Sequence, residues 1–138
     1  MSTHAHQLVT ASFAQVAPHA DEAGRVFYRQ LFVLDPGLRA LFKGDIEAQG
    51  RKLVQMIGTA VSLLDQPMRL LPALESLGQR HAGYGVKERH YDTVGLALIQ
   101  TLELLLGAAF TDEVRSAWHS VYQELAGAMI KASAPATA

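Results

Sequence analysis

The sequence predicts an all-α fold of about seven helices packed in a single domain. Apolar residues recur every three or four positions along almost the whole chain, and the apolar/polar alternation typical of half-buried strands is absent. The length of 138 residues suits one core, and 49% apolar against 18% charged residues is a composition that folds. We therefore expect residues 1–138 to form one domain, with about 132–138 as a frayed tail.

Prolines lie at boundaries of the first three predicted helices. The first helix ends before Pro18, and the second runs over about residues 19–34. Asp35 can cap a short third helix that begins with Pro36 and stops at Gly44, because proline is tolerated in a first turn. The inward positions of the second helix are Phe27, Tyr28, Leu31 and Phe32.

The fourth and fifth helices each show one apolar stripe that carries a polar residue. The fourth, about 46–64, presents Gln49, Leu53, Ile57, Ala60 and Leu64, and "DQP" at 65–67 breaks it. The fifth, about 69–82, is predicted to hold Pro72 in its first turn, where a missing N–H costs little, and to stop at Gly83 or Gly85. Its stripe is Leu70, Leu74, Leu77 and His81.

The last two predicted helices are long. The sixth, about 88–106, has Tyr91, Val94, Leu98, Leu102 and Leu105 on one face and ends at Gly107. The seventh starts after Thr111 with two acidic residues in its first turn, which the helix dipole favours, and runs through Trp118 and Tyr122 to Met129. Long and short helices together suit an irregular packing of helix pairs better than an up-down four-helix bundle.

Charge and cysteine content exclude several classes of function. The formal net charge is −1, and the 12 lysines and arginines form no basic stripe of the kind a nucleic-acid surface shows. The absence of cysteine excludes disulfides, thiolate metal sites, iron–sulfur clusters and cysteine nucleophiles. No signal peptide is recognisable, and the apolar runs fall short of the roughly 18 residues that span a bilayer. We expect a cytoplasmic protein with no nucleic-acid or membrane partner.

Three helices place a chemically capable group on the stripe that should face the core: Tyr28, Gln49 and His81. A buried polar group without a partner costs about 1–3 kcal/mol, so each needs one. Taken singly, His81 fits a core histidine as well as a ligand, Tyr28 fits a core ring with its hydroxyl at the edge, and Gln49 fits a helix face near solvent. Taken together, an imidazole and two hydrogen-bonding groups on separate helices are the parts of a haem pocket. His4, His6, His19, His90 and His119 are expected off the core, with His90 pointing away from the Tyr91 face.

Four segments in order resemble the globin family over almost the whole chain. "FYRQLFVLDPGLRALF" is similar to the stretch from the second globin helix to the phenylalanine of the next corner, and "EAQGRKLVQMI" to the distal helix. "LGQRHAGYGVKERHYDTVG" resembles the proximal helix, its histidine and the next helix, and "SAWHSVYQELA" the final helix. The pattern is most similar to bacterial single-domain globins and the globin part of flavohaemoglobins.

The resemblance implies a role for each matching residue around a haem b group. On the distal side Gln49 takes the position facing the ligand, Tyr28 faces the same side, Leu53 lines the pocket, and Lys52 approaches a haem propionate or the entrance. On the proximal side His81 ligates the iron and Tyr91 lies beside the histidine, whereas Phe42 belongs to the wall opposite His81 and stacks on the haem. The remaining haem contacts implied are Leu77, Val86, Val94 and Leu98.

Two departures from flavohaemoglobins limit what the resemblance implies. The glutamate of their last helix would fall near Ser133, and no acid lies beyond Glu124, so a strongly basic, peroxidase-like histidine is not implied. Backbone carbonyls of the fifth helix are the alternative partners for His81. No flavin and nicotinamide domain follows residue 138 in this sequence, so an external reductase is expected.

The implied function is O₂ binding with slow release, because two donors from Tyr28 and Gln49 would stabilise negative charge on the ligand. A slow off-rate suits nitric oxide dioxygenation to nitrate better than transport. The alternatives are a gas sensor or redox globin in which Tyr28 or another side chain is the sixth ligand, and O₂ storage or transport. A haem-free interaction domain is the rival from another class, and a monomer is the expected state.

Overall fold

The computed structural model describes residues 3–41, 45–83 and 88–133. Within these ranges the chain is helical, without a strand, which confirms the all-α prediction. The described α-helices are α1 Thr3–Val16, α2 Ala20–Leu34, α3 Ile46–Ser62, α4 Pro67–Gly83, α5 Glu88–Leu106 and α6 Asp112–Ser133. Short 3-10 helices cover Ala17–His19, Pro36–Leu41 and Gly107–Ala109. The first two residues of the expected frayed tail, 132 and 133, are the last two of α6.

The third predicted helix is a 3-10 helix rather than an α-helix. The Asp35 carboxylate accepts a hydrogen bond from the Gly37 N–H over 3.1 Å, and the Asp35 carbonyl accepts one from the Leu38 N–H over 3.1 Å. This i to i+3 bond is the repeat of a 3-10 helix, and such helices are short because their hydrogen-bond geometry is poorer. In the described residues, six of the seven predicted helices are α-helices and the third is this 3-10 helix. Two further 3-10 helices lie between α-helices.

The helix α4 begins two residues earlier than the sequence predicts. Pro67 takes the first helical position, and the Gln66 carbonyl accepts bonds from the N–H groups of Arg69 and Leu70, both over 2.9 Å. Pro72 consequently lies inside the helix, and its expected place in the first turn was wrong. The helix bond it cannot make would run to Met68, which is 90% exposed, so water can satisfy that carbonyl.

The core divides into two clusters of buried side chains. The first cluster joins α1, α2, α3, α5 and α6, and its largest fully buried side chains are Val9, Leu31 and Val121. The second cluster is small and joins α4, α5 and α6 through Leu74, Tyr91, Ala126 and Met129. The clusters share partly buried neighbours from α4 and α6, namely Leu70, Tyr122 and Leu125.

A buried polar chain ties α1 to α6 inside the first cluster. The Trp118 indole N–H donates to the Ser12 hydroxyl over 2.8 Å, and that hydroxyl donates to the Leu8 carbonyl over 2.7 Å. Both side chains are buried, so each polar atom needs the partner it has.

One described segment, Arg89–Ala109, is long and apolar enough to span a membrane by length and composition, with a mean hydropathy of 1.3. A core helix of a globular domain passes the same test. In α5 the buried residues Ala97, Leu98, Thr101 and Leu102 pack in the first cluster or line its cavity, whereas Leu96 and Leu104 are exposed and 28% of the apolar window is buried.

Candidate functional site

Tyr28 lies on the inner face of α2 and is 5% exposed. Its ring meets Phe27 edge-on, with centroids 5.2 Å apart, and stacks on Phe32 at 5.8 Å with an interplanar angle of 25°. Burial raises the pKa of Tyr28 to about 12, because the phenolate would lose its hydration. The hydroxyl therefore stays protonated, and able to donate, over the physiological pH range.

A close helix crossing sets α3 against α2 near Tyr28. At this crossing a Cβ on Gly24 would lie 2.7 Å from the Gly50 Cα, so only glycines allow the two backbones to approach this closely. Gly24 is one turn before Tyr28 on α2, and Gly50 directly follows Gln49 on α3. The crossing therefore fixes the turn that carries Gln49 relative to the turn that carries Tyr28.

The three predicted residues of α3 differ in exposure. Gln49 and Leu53 are half-buried, and Leu53 packs against the first cluster. Lys52 is exposed, which is compatible with the implied position at a pocket entrance but does not test it. The helix is capped by Asp45, whose carboxylate accepts from the Glu47 N–H over 2.9 Å.

On the proximal side, the structure places the backbone of His81 in α4, four residues after Leu77. Leu77 is half-buried and packs against the second cluster, so the stripe that leads to His81 faces the core. The side chain of His81 and the whole of Phe42 and Val86 lie outside the described residues. Their implied roles remain predictions.

The three predicted residues of α5 are distributed over both clusters. Tyr91 is 7% exposed and belongs to the second cluster, and burial raises its pKa. Leu98 is buried in the first cluster, and the half-buried Val94 packs against it. Leu98 and Leu53 also line one wall of an apolar cavity of about 20 Å³ inside the first cluster.

The described apolar side chains of α3 and α4 suit contact with a flat apolar group. Leu53 of α3 packs against the first cluster and Leu77 of α4 against the second, while Leu70 of α4 packs against both. Gln49, Leu53, Leu70 and Leu77 are half-buried, whereas a continuous core would cover such side chains fully. The implied distal residue Leu53 and the implied proximal residue Leu77 thus pack against different clusters.

Two of the other histidines differ from the sequence expectation. His6 has a side chain only 16% exposed and lies 3.2 Å from the Asp65 carboxylate, whereas a solvated position was expected. His90 is 7% exposed, so its expected outward position was wrong. His19 and His119 are exposed as expected, and the exposed His4 pairs with Glu113 over 2.8 Å. Over the described residues there is no cluster of three or more His, Asp or Glu side chains that would hold a metal ion.

Sequence reasoning missed the glycines that set the helix spacings and the tyrosine that bridges α6 and α5. Gly78 of α4 lies so close to α6 that a Cβ would be 2.3 Å from the Met129 carbonyl oxygen. The Tyr122 hydroxyl donates to the Tyr91 carbonyl over 2.6 Å. Glycine inside an amphipathic helix was the available signal, because it costs about 1 kcal/mol relative to alanine unless packing requires it.

The globin family model matches residues 25–129, which covers most of the chain and every described candidate residue. The chain belongs to the globin family. Among its relatives, it is 31% identical over 133 residues to a flavohemoprotein of Bordetella parapertussis. It is 30% identical over 124 residues to a flavohemoprotein of Xylella fastidiosa and 28% identical over 134 residues to one of Halalkalibacterium halodurans.

These alignments cover most of this globin but only part of each relative. They include 94%, 88% and 95% of this chain, against 33%, 31% and 33% of the three flavohemoproteins in the same order. This globin therefore spans about a third of the length of the relatives that it matches.

Proposed function

We propose that this globin binds haem b through His81, holds O₂ tightly, and oxidises nitric oxide to nitrate with electrons from a separate reductase. The observation that carries the proposal is the buried, protonated Tyr28, which lies one turn from the close contact of Gly24 with Gly50 on α3. The name flavohemoprotein borne by the relatives supports the haem. The half-buried apolar side chains of α3 and α4 support its placement between these two helices.

The haem iron would supply the binding of O₂ and its reaction with nitric oxide. The protein's own residues would orient the bound ligand and shield it from water. Tyr28 and Gln49 would donate hydrogen bonds to the negative end of the bound ligand, and the aromatic and leucine side chains around Tyr28 would keep water away. Hydrogen bonds to charge in such a low-dielectric site are stronger than in water, which favours slow ligand release.

A tyrosinate at the sixth position of the iron is the less favoured alternative for Tyr28. Burial raises the pKa of this phenol to about 12 in the protein without iron, and the absorption spectrum of the ferric form across pH distinguishes a neutral phenol from a bound tyrosinate. In the proposed reaction Tyr28 stays neutral and acts as a donor.

The proposed protein is a single-domain, cytoplasmic monomer without nucleic-acid or membrane partners. The proposed source of its electrons is a separate reductase. The measurement that addresses haem binding is the Soret band of the purified protein, which is expected to be lost or strongly shifted in His81→Ala.

The decisive experiment is the O₂ dissociation rate of the ferrous protein in Tyr28→Phe and Gln49→Leu, alone and combined. Each substitution removes one donor at about 1–3 kcal/mol, so each should speed dissociation by roughly tenfold or more. The matched control is Thr101→Val, which removes a buried hydroxyl of the first cluster that donates to the Ala97 carbonyl over 2.8 Å. Its off-rate should equal that of the parent.

Unchanged off-rates in all three distal variants would rule out the proposed role of Tyr28 and Gln49. The reaction itself is tested separately: mixing the O₂ complex of the parent with nitric oxide should yield one nitrate per haem. A parent that releases O₂ quickly and forms no nitrate would be a carrier or store.

A further inference from the structure

The ring of Tyr28 is in contact with two other aromatic side chains of α2. Phe27 meets it edge-on, with centroids 5.2 Å apart and an interplanar angle of 78°, and Phe32 stacks on it at 5.8 Å and 25°. We infer that Phe32 is a positioning residue, which sets the ring plane of Tyr28 and thereby the direction in which its hydroxyl donates, and that Arg39 holds Phe32 in place. This inference rests on the haem and the donor role of Tyr28 in the proposed function, and is independent of the reaction with nitric oxide.

The plane of the Tyr28 ring matters because the phenol oxygen is conjugated with the ring. The conjugation favours an O–H bond that lies in the ring plane. Rotation about the Cβ–Cγ bond leaves the oxygen in place, since the oxygen lies on the rotation axis, but it turns the plane in which the hydrogen can point. A hydrogen bond weakens steeply when its angle at the hydrogen falls below about 120°, so a turned ring donates less well from the same oxygen position.

The torsional preference of tyrosine does not fix this ring plane by itself. Its second side-chain torsion is broad and roughly two-fold, so neighbouring side chains must select one plane. Phe27 is 4% exposed and belongs to the first cluster, whereas Phe32 is half-buried and packs against that cluster. A side chain stacked on the face of the Tyr28 ring resists rotation of that ring, which makes Phe32 the contact that selects the plane.

The ring of Phe32 also has a contact from outside α2. Arg39 of the 3-10 helix Pro36–Leu41 lies over it, with the guanidinium carbon 5.3 Å from the ring centroid. A guanidinium within about 6 Å of an aromatic centroid is attracted by the negative face of the ring. Phe32 is one turn from Tyr28 on α2, so the guanidinium holds the ring that stacks on the donor.

The 3-10 helix that carries Arg39 is anchored to the core and to the end of α2. Leu38, the residue before Arg39, is 3% exposed and belongs to the first cluster. The Asp35 carboxylate accepts from the Gly37 N–H, and the Asp35 N–H donates to the Leu31 carbonyl of α2 over 2.9 Å. Arg39 therefore extends over Phe32 from a backbone whose position is fixed.

The test uses the full chain with haem bound, as the ferrous carbon monoxide complex, and records the C–O stretching band in the infrared spectrum. An O–H that points at the ligand lowers this frequency, because it favours transfer of electron density from the iron to the ligand. Phe32→Leu keeps an apolar side chain but removes the flat face that stacks on Tyr28. The band should broaden and move to higher wavenumber, by part of the shift that Tyr28→Phe produces.

A double variant shows whether Phe32 acts through Tyr28. When Tyr28→Phe and Phe32→Leu are combined, the band should lie where it lies in Tyr28→Phe alone, since the hydroxyl that Phe32 orients is absent. Phe32→Tyr, which keeps a flat ring at this position, should retain the parent band. An unchanged band in Phe32→Leu, or an equal further shift in the double variant, would overturn the inference.

The matched control is Phe110→Leu, at the connection between α5 and α6. Phe110 belongs to the first cluster and also has an arginine over its ring, with the Arg115 guanidinium carbon 5.1 Å from the centroid. The control thus removes the same kind of ring and the same kind of cation contact. It should lower stability and leave the C–O band where it is in the parent. A shift as large as that of Phe32→Leu would assign the effect to general loss of packing and contradict the positioning role.

Arg39→Gln tests the second part of the inference. Loss of the guanidinium should shift the band in the same direction as Phe32→Leu, by a smaller amount, and should add nothing when combined with Phe32→Leu. A parent-like band in Arg39→Gln would show that packing alone holds Phe32, and would overturn the role of Arg39.

The outcome is distinguishable from failure of the proposed function. An unshifted band in Tyr28→Phe itself would contradict donation by Tyr28 and, with it, both proposals. A shifted band in Tyr28→Phe beside an unshifted band in Phe32→Leu would refute only the positioning role, whatever O₂ release and nitrate formation show.

Discussion

The two clusters of the core are built differently. The first draws apolar side chains from five helices and contains the deeply buried Leu31 and Val121. The second has few fully buried members, and its edges are half-buried leucines of α4. Among the helices of the first cluster, α2 and α3 meet at Gly24 and Gly50, whereas the helices of the second meet where the Met129 backbone faces Gly78 and where the Tyr122 ring faces Gly95.

This difference separates the two sides of the proposed haem pocket. On the distal side, Tyr28 is a buried member of the first cluster and Leu53 packs against that cluster. The proximal helix α4 packs against the smaller second cluster. The spacing of α4, α5 and α6 depends on contacts that leave no room for an added Cβ. We expect substitutions at the proximal contacts to act on geometry first, and substitutions in the first cluster to act mainly on stability.

The largest effect is expected for Gly78→Ala. The added Cβ would meet the Met129 carbonyl oxygen at 2.3 Å, and since backbone lies on both sides, neither partner can rotate away. The helices α4 and α6 must separate, which opens the second cluster. We expect a loss of about 3 kcal/mol or more in the free energy of unfolding, at or beyond the upper end of overpacking costs, measured by chemical denaturation.

Gly127→Ala is the matched control on α6. An added Cβ there has no neighbour within 4 Å, and alanine favours a helix interior over glycine by about 1 kcal/mol. This variant should be as stable as the parent or slightly more so. Equal stability of Gly78→Ala and the parent would show that the contact between α4 and α6 can accommodate an added Cβ, which would contradict the prediction.

A smaller effect is expected from truncating one leucine in each cluster. Leu31→Ala removes a fully buried side chain from the first cluster, so a cost of about 2–3 kcal/mol in the free energy of unfolding is expected. Leu74→Ala should cost about 1 kcal/mol less, because the half-buried Leu70 and Leu77 can move into the space. Equilibrium unfolding of both variants provides the comparison, and equal costs would contradict the looser packing of the second cluster.

The smallest effect is a change in the pH dependence of stability at Tyr28. Its pKa is raised by burial from 10.0 to about 12, so the folded state favours the neutral phenol. This contribution is fully present below pH 10 and is lost as the pH rises toward 12. Tyr28→Phe should therefore lose stability less steeply than the parent over that interval, as followed by denaturant unfolding at stepped pH. Parallel curves for the two proteins would indicate that the phenol is not desolvated.

Much of the fold follows from the sequence because helical periodicity, proline and acidic caps act locally. The stripes of α2 and α5 predicted several buried residues, and Tyr28, Tyr91 and Leu98 lie in the core as expected. The stripe predicted for α3 was less accurate, because the buried residues of that helix are Gly50, Val54 and Val61. The start of α4 was misjudged because Pro67 and Pro72 are both acceptable helix starts by local rules, and only the hydrogen bonds of Gln66 distinguish them. His6 and His90 were misjudged because their partners are remote in sequence or on a face that periodicity did not assign to the core.

The sequence by itself determined the fold class and the order of the helices, because both depend on spacing along each helix, and the residues that could serve a haem are those implied by its resemblance to globins. Only the tertiary structure decided how close the helices come. The glycine contacts at Gly24, Gly50, Gly78 and Gly95, and the bond from Tyr122 to the Tyr91 carbonyl, join helices that are remote in sequence. The reason for each glycine is visible only in the folded protein, where a neighbouring backbone or ring lies in the space that a side chain would need.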